Sequence, residues 1–204
     1  GKMRPGTIIG HEGVGLVNEV GPDVRDFREG DRVVVCSTIA CGSCPSCKAG
    51  NYSLCDTVQK DFQSDGCSFF GGSEPYGGID GLQAQKARIP FANVTLVKLP
   101  EKISNDQALF LSDLFPSGYF AAESASIQPN ENVAVFGCGP VGQFAIASAK
   151  LMGAGRIIAV DSIDYRLEMA RHQGAEVVNS ENEDPVGTIR RLTGGFGADR
   201  VIDA

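Results

Sequence analysis

The alternation of hydrophobic and polar positions divides the chain into two parts that meet near Pro100. In the first part, short valine-rich runs such as GVGLVNEVG and DRVVVCS are bounded by Gly, Pro and Asp, which is typical of β-strands separated by turns. ARIPFANVTLVKLP predicts another pair of short strands, interrupted by Pro90. The glycine-rich stretch 61–81 predicts a long surface loop. The first ninety or so residues therefore predict a small β domain.

In the second part, helical patterns come first and then alternate with strands. SNDQALFLSDLFPSGYFAAESA predicts two short helices, with Ser104 or Asn105 as the first cap and a break at Pro116. From Glu131 onward, NVAVF, RIIAV, AEVV and ADRVIDA predict four strands with helices between them. Strands joined by crossover helices form a parallel sheet that is covered on both faces. The sequence therefore predicts an α/β fold that ends in a doubly wound parallel sheet.

A glycine pattern lies where the first of these strands turns into a helix. VAVFGCGPVG contains Gly137, Gly139 and Gly142, which in a dinucleotide site permit a tight turn, close approach of a pyrophosphate, and helix–strand packing, respectively. Asp161 ends the next strand, where a carboxylate accepts hydrogen bonds from ribose hydroxyls and repels a 2′-phosphate. The pattern therefore predicts NAD rather than NADP. The alternative is a plain glycine turn, with Asp161 capping the following helix.

Three further residues belong to this predicted cofactor site. Pro140 and Val141 lie inside the glycine motif, at the start of the helix whose free N–H groups would face the phosphates. Arg166 lies one turn into the next helix, where it either reaches the adenosine side of the cofactor or is a solvated surface arginine.

Four of the seven cysteines fall within CGSCPSCKAGNYSLC, at Cys41, Cys44, Cys47 and Cys55. The opening GKMRPGTIIGHEG lacks the apolar core of a signal peptide, so we expect a cytoplasmic protein with reduced thiols, which disfavours disulfides. An iron–sulfur motif would place its remaining ligand differently, often before a proline. Four thiolates at this spacing suit a closed, tetrahedral zinc site. The cluster therefore predicts a structural zinc.

The two histidines indicate metal binding less clearly than the cysteines do. His172 ends an amphipathic helix and is expected to be solvated. His11, next to Glu12 in IIGHEGVG, is either a metal ligand or a hydrogen-bonded turn histidine.

The net charge of -7 argues against a nucleic-acid surface. No apolar run reaches the length of about 18 residues that a membrane helix needs, so we expect no membrane partner.

Taken together, GHEGVGLVNEVG, GDRVVV, the cysteine cluster and VAVFGCGPVG with Asp161 resemble the zinc-dependent medium-chain alcohol dehydrogenase family over essentially the whole chain. ALFLSDLFPSGYFAAE is most similar to the branch that includes glutathione-independent formaldehyde dehydrogenases. The resemblance implies three parts. They are a partial GroES-like β domain at 1–100 with its structural-zinc lobe at 41–55, a helical connection at 101–130, and a partial Rossmann NAD-binding sheet at 131–204.

The resemblance also implies a second, catalytic zinc. His11 and Asp113 would be two of its ligands, and the alternative for Asp113 is an inter-helix cap. Glu12 would approach the metal during ligand exchange, and Ser117 would lie near the nicotinamide. The family's remaining cysteine ligand and its proton-relay hydroxyl lie upstream of the GHE motif, and its sheet has about six strands. We therefore expect an internal fragment of a longer enzyme, with an incomplete catalytic site.

The activity that follows from the resemblance is hydride transfer between a small alcohol, or a hydrated aldehyde, and NAD. Zinc would polarise the substrate oxygen and the cofactor would carry the hydride. The alternatives are a polyol or amino-alcohol dehydrogenase of the same family, and a non-catalytic fragment that binds zinc and NAD. We expect the full-length parent to be a homo-oligomer and residues 1–204 alone to be inactive.

Overall fold

The structure is a computed structural model that describes residues 3–58 and 67–204. The chain divides into two compact units, Gly1–Asp113 and Leu114–Ala204, each with its own hydrophobic core. The division falls inside the predicted helical connection 101–130. Among the described residues, no helix has both the length and the apolar character needed to cross a bilayer.

The first unit is built on a three-stranded antiparallel sheet in the order β1-β2-β3. Val33 and Val35 of the central strand pack with Ile39, Phe70 and Leu96 to form the core of this unit. Single turns of 3-10 helix lie at Tyr52–Leu54 and Glu74–Tyr76. The elements are β1 (Gly13–Leu16), β2 (Arg32–Val35), α1 (Pro45–Lys48), α2 (Ala92–Thr95), β3 (Leu96–Lys98) and α3 (Asn105–Leu109).

Two predictions for the first unit were wrong in detail. The segment predicted as two strands around Pro90 contains one strand, β3, because Phe91 adopts a left-handed conformation (φ 52°) and starts the single-turn helix α2. Of the predicted loop 61–81, residues 61–66 lie outside the described residues. The remainder is not confined to the surface, since the Phe70 side chain is fully buried.

The two helices that follow β3 are separated at a different place from the predicted break at Pro116. Ser104 caps α3 through a capping box with Gln107, as one of the two predicted caps. The break lies before Leu114, and helix α4 runs from Leu114 to Ser124 through Pro116. A proline in the first turn of a helix removes an N–H that has no intrahelical partner there, so the helix continues past it.

The second unit is a four-stranded parallel sheet in the order β6-β5-β4-β7, which confirms the predicted α/β class and its four strands. Because β7 pairs with β4 on the side away from β5, the strand order reverses there. Ligands of such sheets bind at the carboxyl ends of the strands beside this point. The elements are α4 (Leu114–Ser124), β4 (Asn132–Phe136), α5 (Pro140–Leu151), β5 (Arg156–Asp161), α6 (Asp164–His172), β6 (Glu176–Asn179), α7 (Pro185–Leu192) and β7 (Arg200–Asp203).

Alternate residues of each strand supply the two faces of this sheet. Val133 and Val135 of β4 belong to the cluster that also contains Ala145 and Ile146 of α5. Ala134, between them, belongs to the opposite cluster, which contains Ile189 of α7. Burial on both faces explains why these strands are continuous apolar runs in the sequence. The packing places the glycine motif between β4 and α5, at the carboxyl edge of the sheet.

Candidate functional site

The four clustered cysteines come together in the first unit. Their Sγ atoms all lie within 4.8 Å of one another, and the Sγ atoms of Cys44 and Cys55 are 3.9 Å apart. Zinc–sulfur bonds of about 2.3 Å in a tetrahedron place neighbouring sulfurs about 3.8 Å apart. Helix α1 makes the turn, because Pro45 occupies its first position and the Cys44 sulfur accepts a hydrogen bond from the Cys47 N–H. With Cys41, these residues fit a four-thiolate zinc site.

Hydrogen bonds and burial act on these thiols in opposite directions. The Thr57 hydroxyl donates to Cys41 Sγ at 3.2 Å, and with the Ser43 and Cys44 N–H groups it lowers the pKa of Cys41 to about 5. Burial raises the pKa of Cys47 to about 12. Four neighbouring thiolates repel one another unless a cation neutralises them, so binding of a dication would release the remaining protons.

His11 and Asp113, far apart in the sequence, meet at the second candidate metal site. The distance from His11 Nε2 to Asp113 Oδ2 is 3.4 Å. The Ser37 hydroxyl donates to Asp113 Oδ1 at 3.0 Å, and the His11 and Phe69 rings pack nearly perpendicular to each other with their centroids 5.8 Å apart. The imidazole and the carboxylate are both partly exposed. A nitrogen and an oxygen at this separation are positioned to share a small cation.

Ser112 holds the segments of this site together. Its buried hydroxyl donates to the Val35 carbonyl at the end of β2 and accepts from the Gly13 N–H of β1 at 3.3 Å. The Ser37 N–H in turn donates to the Ser112 carbonyl at 3.2 Å. These bonds bring the residue after Ser112 to the residues just before β1, which explains how Asp113 reaches His11. No local sequence signal identifies Ser37 or Ser112 as members of this site.

Glu12 has one unusual feature. Its Oε1 is buried and has no hydrogen-bond partner within the described ranges, and such orphaned acceptors are rare unless an ion or water satisfies them. The cysteine cluster is, however, the only group of three or more His, Cys, Asp or Glu ligand atoms within residues 3–58 and 67–204. Cys36, whose pKa burial raises, does not join His11 and Asp113 there. Metal binding by these residues stays a prediction.

The three glycines of the motif have three different environments. Gly137 has a left-handed φ of 86°, and a Cβ there would lie 2.0 Å from the Ala204 carbonyl oxygen. A Cβ on Gly142 would lie 1.9 Å from the Gly137 carbonyl oxygen, whereas one on Gly139 would meet nothing within 4 Å. Gly137 and Gly142 are thus required by packing. The open space at Gly139, the N-cap of α5, fits close approach of a phosphate.

Asp161 ends β5 with its carboxylate directed at backbone N–H groups. Its Oδ2 accepts from the Cys138 N–H at 2.7 Å, and its Oδ1 accepts from the Ser162 and Ile163 N–H groups at 2.7 and 2.9 Å. Burial raises the pKa of Asp161, but these hydrogen bonds and the nearby Arg166 guanidinium outweigh it and hold the pKa below its ordinary value. An ionised carboxylate therefore faces the glycine turn. These N–H groups all precede α6, whose N-cap is Ile163 with no side-chain cap, so Asp161 does not cap that helix, and the role of ribose acceptor stays a prediction.

A buried amide and a buried thiol complete this turn, and the sequence did not identify either. Gln143 Nε2 donates to the carbonyl oxygens of Cys138 and Arg166 at 3.0 and 2.9 Å. Burial, and then the negative charge of Asp161, raise the pKa of the Cys138 thiol to about 11. The available signal for Gln143 was a single amide among the apolar residues of PVGQFAIASAKL.

The remaining predicted cofactor residues also lie in the second unit. Pro140 and Val141 form the first turn of α5. Arg166 lies in α6 with its guanidinium 5.9 Å from the Tyr165 ring centroid and 3.7 Å from Asp161 Oδ2. Ser117 lies in α4, next to Gly118, where a Cβ would meet the backbone of α5 at 2.7 Å. The structure gathers the glycines, Asp161 and Arg166 around one turn.

Comparison with protein families gives two matches. Residues 1–101 match the family described as Alcohol dehydrogenase GroES-like domain, and residues 140–204 match Zinc-binding dehydrogenase. The two matches together include the cysteine cluster, His11 and Asp161, and of the three motif glycines only Gly142.

Individual relatives extend over nearly the whole chain. The zinc-type alcohol dehydrogenase-like protein AdhB of Bacillus subtilis is 40% identical over 99% of this chain and 54% of its own length. The NADP-dependent isopropanol dehydrogenase of Clostridium beijerinckii is 37% identical over 98% of this chain and 54% of its own. The solved alcohol dehydrogenase TADH from Thermus sp. ATN1 has 39% identity and a TM-score of 0.91, over 100% of this chain and 56% of that one. The chain spans about half the length of the curated relatives it matches.

We predict that the cysteine cluster holds one tightly bound zinc. After dialysis against a mild chelator, elemental analysis should give about one zinc per chain. Cys44→Ser should lose it and unfold the lobe, because metal binding and local folding share one free energy. Cys67→Ser, outside the cluster, is the control and should keep the metal.

Bound iron with visible charge-transfer absorption would contradict the prediction. Two tightly held zincs would show that Glu12 or another side chain completes the His11–Asp113 site.

The glycine environments predict opposite results for two alanine substitutions. Gly142→Ala should lower the free energy of unfolding by about 3 kcal/mol, since the new methyl overlaps the Gly137 carbonyl. Gly139→Ala should change stability by less than about 1 kcal/mol, because its φ of -65° suits alanine and the space is open. The same methyl should nevertheless weaken NAD binding. Denaturant unfolding and calorimetry measure the two effects, and unchanged NAD affinity in Gly139→Ala would disprove the phosphate assignment.

Proposed function

Because the chain belongs to the zinc-dependent medium-chain alcohol dehydrogenase family, we propose that it acts in hydride transfer between a small alcohol, or a hydrated aldehyde, and NAD. One matched family is described as Zinc-binding dehydrogenase, and one similar solved structure is an NAD-dependent alcohol dehydrogenase with 31% identity. The observation that carries the proposal is the meeting of His11 and Asp113, whose ligand atoms are 3.4 Å apart. The finer resemblance to formaldehyde dehydrogenases, a cytoplasmic location and a homo-oligomeric state stay part of the proposal.

His11, Asp113 and their neighbours would hold the catalytic metal. A bound zinc supplies Lewis acidity that lowers the pKa of an alcohol oxygen. The Ser37 hydroxyl donates a hydrogen bond to Asp113 Oδ1, which leaves Asp113 Oδ2 directed toward His11. A fixed donor of this kind orients a ligating carboxylate. Phe69 restricts rotation of the imidazole, and Glu12 contributes a buried acceptor with no partner within the described ranges.

The glycine turn and Asp161 would hold the dinucleotide. NAD supplies the hydride chemistry when it is bound. Gly139 leaves space for the pyrophosphate, and the first N–H groups of α5 would donate to it. The Asp161 carboxylate, ionised and largely buried, would accept from ribose hydroxyls. Arg166 and Ser117 are proposed for the adenosine side and the nicotinamide side.

A second candidate is a non-catalytic module that binds zinc and NAD. One observation favours it: within the described residues, His11 and Asp113 are joined by no third ligand atom. A polyol or amino-alcohol dehydrogenase is the alternative within the family. Turnover with simple alcohols and NAD separates these candidates.

We therefore predict a difference between two proteins. The chain 1–204 should bind NAD without measurable alcohol oxidation, because two ligands hold a catalytic zinc weakly. The same chain, extended by whatever its gene encodes on either side, should reduce NAD with a simple alcohol. In the extended protein, Asp113→Asn should abolish turnover and leave NAD affinity unchanged. An extended protein that binds both cofactors and yet turns over no alcohol, polyol or amino alcohol would support the non-catalytic candidate.

The cofactor preference is predicted to be NAD over NADP by more than about tenfold, since like charges in contact repel by several kcal/mol. Asp161→Asn should reduce the preference, because it removes the charge and keeps one acceptor for the backbone N–H groups. Calorimetric dissociation constants of the two cofactors give the ratio. Asp164→Asn, exposed and three positions beyond the carboxylate, is the control. Equal affinities for NAD and NADP in the unsubstituted protein would refute the prediction. One relative of this chain, the isopropanol dehydrogenase of Clostridium beijerinckii, is NADP-dependent.

A further inference from the structure

Gln143 has every hydrogen-bonding atom of its side chain occupied, although it lies in the apolar part of α5. Its Nε2 donates to the Cys138 and Arg166 carbonyl oxygens, and its Oε1 accepts from Gln173 Nε2 at 2.6 Å. The residue is buried, at 8% exposure. Two carbonyl acceptors fix the orientation of the amide, because only the nitrogen can donate to them. The side chain thus connects the glycine turn to helix α6.

The hydrogen bond to Cys138 has a consequence for the next residue. The carbonyl of Cys138 and the N–H of Gly139 belong to one planar trans peptide, so the two groups point in opposite directions. With the carbonyl held toward the interior by Gln143, the Gly139 N–H is turned away from it. Within residues 3–58 and 67–204, this N–H donates to no acceptor, and the space beside Gly139 is open.

The backbone alone would not hold this orientation. Gly139 lacks a Cβ, and glycine accepts a wide range of φ, so rotation of the peptide between Cys138 and Gly139 is sterically permitted on its side. Asp161 holds the N–H of the preceding peptide, that of Cys138, at 2.7 Å. Two consecutive peptides of the turn are therefore fixed by two different side chains, Asp161 through an N–H and Gln143 through a carbonyl.

We infer that Gln143 is a positioning residue of the dinucleotide site, whose amide holds the Cys138–Gly139 peptide so that the Gly139 N–H is presented to a bound pyrophosphate. The inference rests on the proposed NAD site and adds the residue that orients its central donor. Gln143 acts through the backbone and does not itself contact the cofactor.

The test uses the 204-residue chain and two leucine variants. Gln143→Leu keeps the approximate size of the side chain and removes both donors, so the peptide becomes free to rotate. NAD affinity, measured by calorimetry, should fall at least about tenfold, the effect of one hydrogen bond to a charged group. Adenosine, which has no phosphate, should bind within about twofold of the unsubstituted protein when titrated by NMR. Gln173→Leu, the matched control, removes the third bond of the network and leaves both donors of Gln143 in place, so NAD affinity should be retained.

Several outcomes would overturn the inference. Retained NAD affinity in Gln143→Leu would do so, and so would an equal loss for adenosine or in Gln173→Leu, because each assigns Gln143 a general structural role. If Gln143→Leu does not fold, the amide resonance of Gly139 in the unsubstituted protein decides. It should shift downfield with NAD and not with adenosine, and an unchanged resonance would disprove the assignment. Failure of the unsubstituted chain to bind NAD would instead refute the proposed dinucleotide site.

Discussion

The second unit depends on the absence of a side chain at two positions. Where β4 turns into α5, the backbone passes so close to itself and to the end of β7 that Gly137 and Gly142 leave no room for a Cβ. This close approach brings the first turn of α5 to the carboxyl edge of the sheet. It also places Cys138 between the Asp161 carboxylate and the Gln143 amide. The geometry of the candidate dinucleotide site is therefore a consequence of backbone packing, and polar side chains then fix its details.

Sequence patterns predicted those features that are local or periodic. The four parallel strands were predictable because burial on both faces makes each a short apolar run, and the cysteine cluster because its ligands lie within one short loop. Helix α2 was not predictable, since a single turn started by Phe91 in a left-handed conformation has no periodicity. Pro116 was expected to end a helix, but a proline has that effect only beyond the first turn.

The candidate catalytic site could not have been assembled from spacing. His11 meets Asp113 because the Ser112 and Ser37 hydroxyls connect three segments through tertiary hydrogen bonds, and serine is too common on surfaces to indicate such a role. Family resemblance supplied that pair, and the structure shows their proximity. Gln143 is a second residue whose partners the sequence alone could not identify. A polar residue at an apolar helix position indicates that partners exist, while only the fold shows that they are the carbonyls of Cys138 and Arg166.

Cys138 lies between Gly137 and Gly139, the first two glycines of the motif. The residue is 1% exposed. Burial, and then the negative charge of Asp161, raise the pKa of its thiol, which stays protonated near neutral pH. Peroxides and alkylating reagents react with the accessible thiolate, not with a shielded thiol. Such reagents would therefore reach Cys138 only after the packing around it opens. The nucleotide turn thus contains a cysteine without being a site of oxidative damage while the unit stays folded.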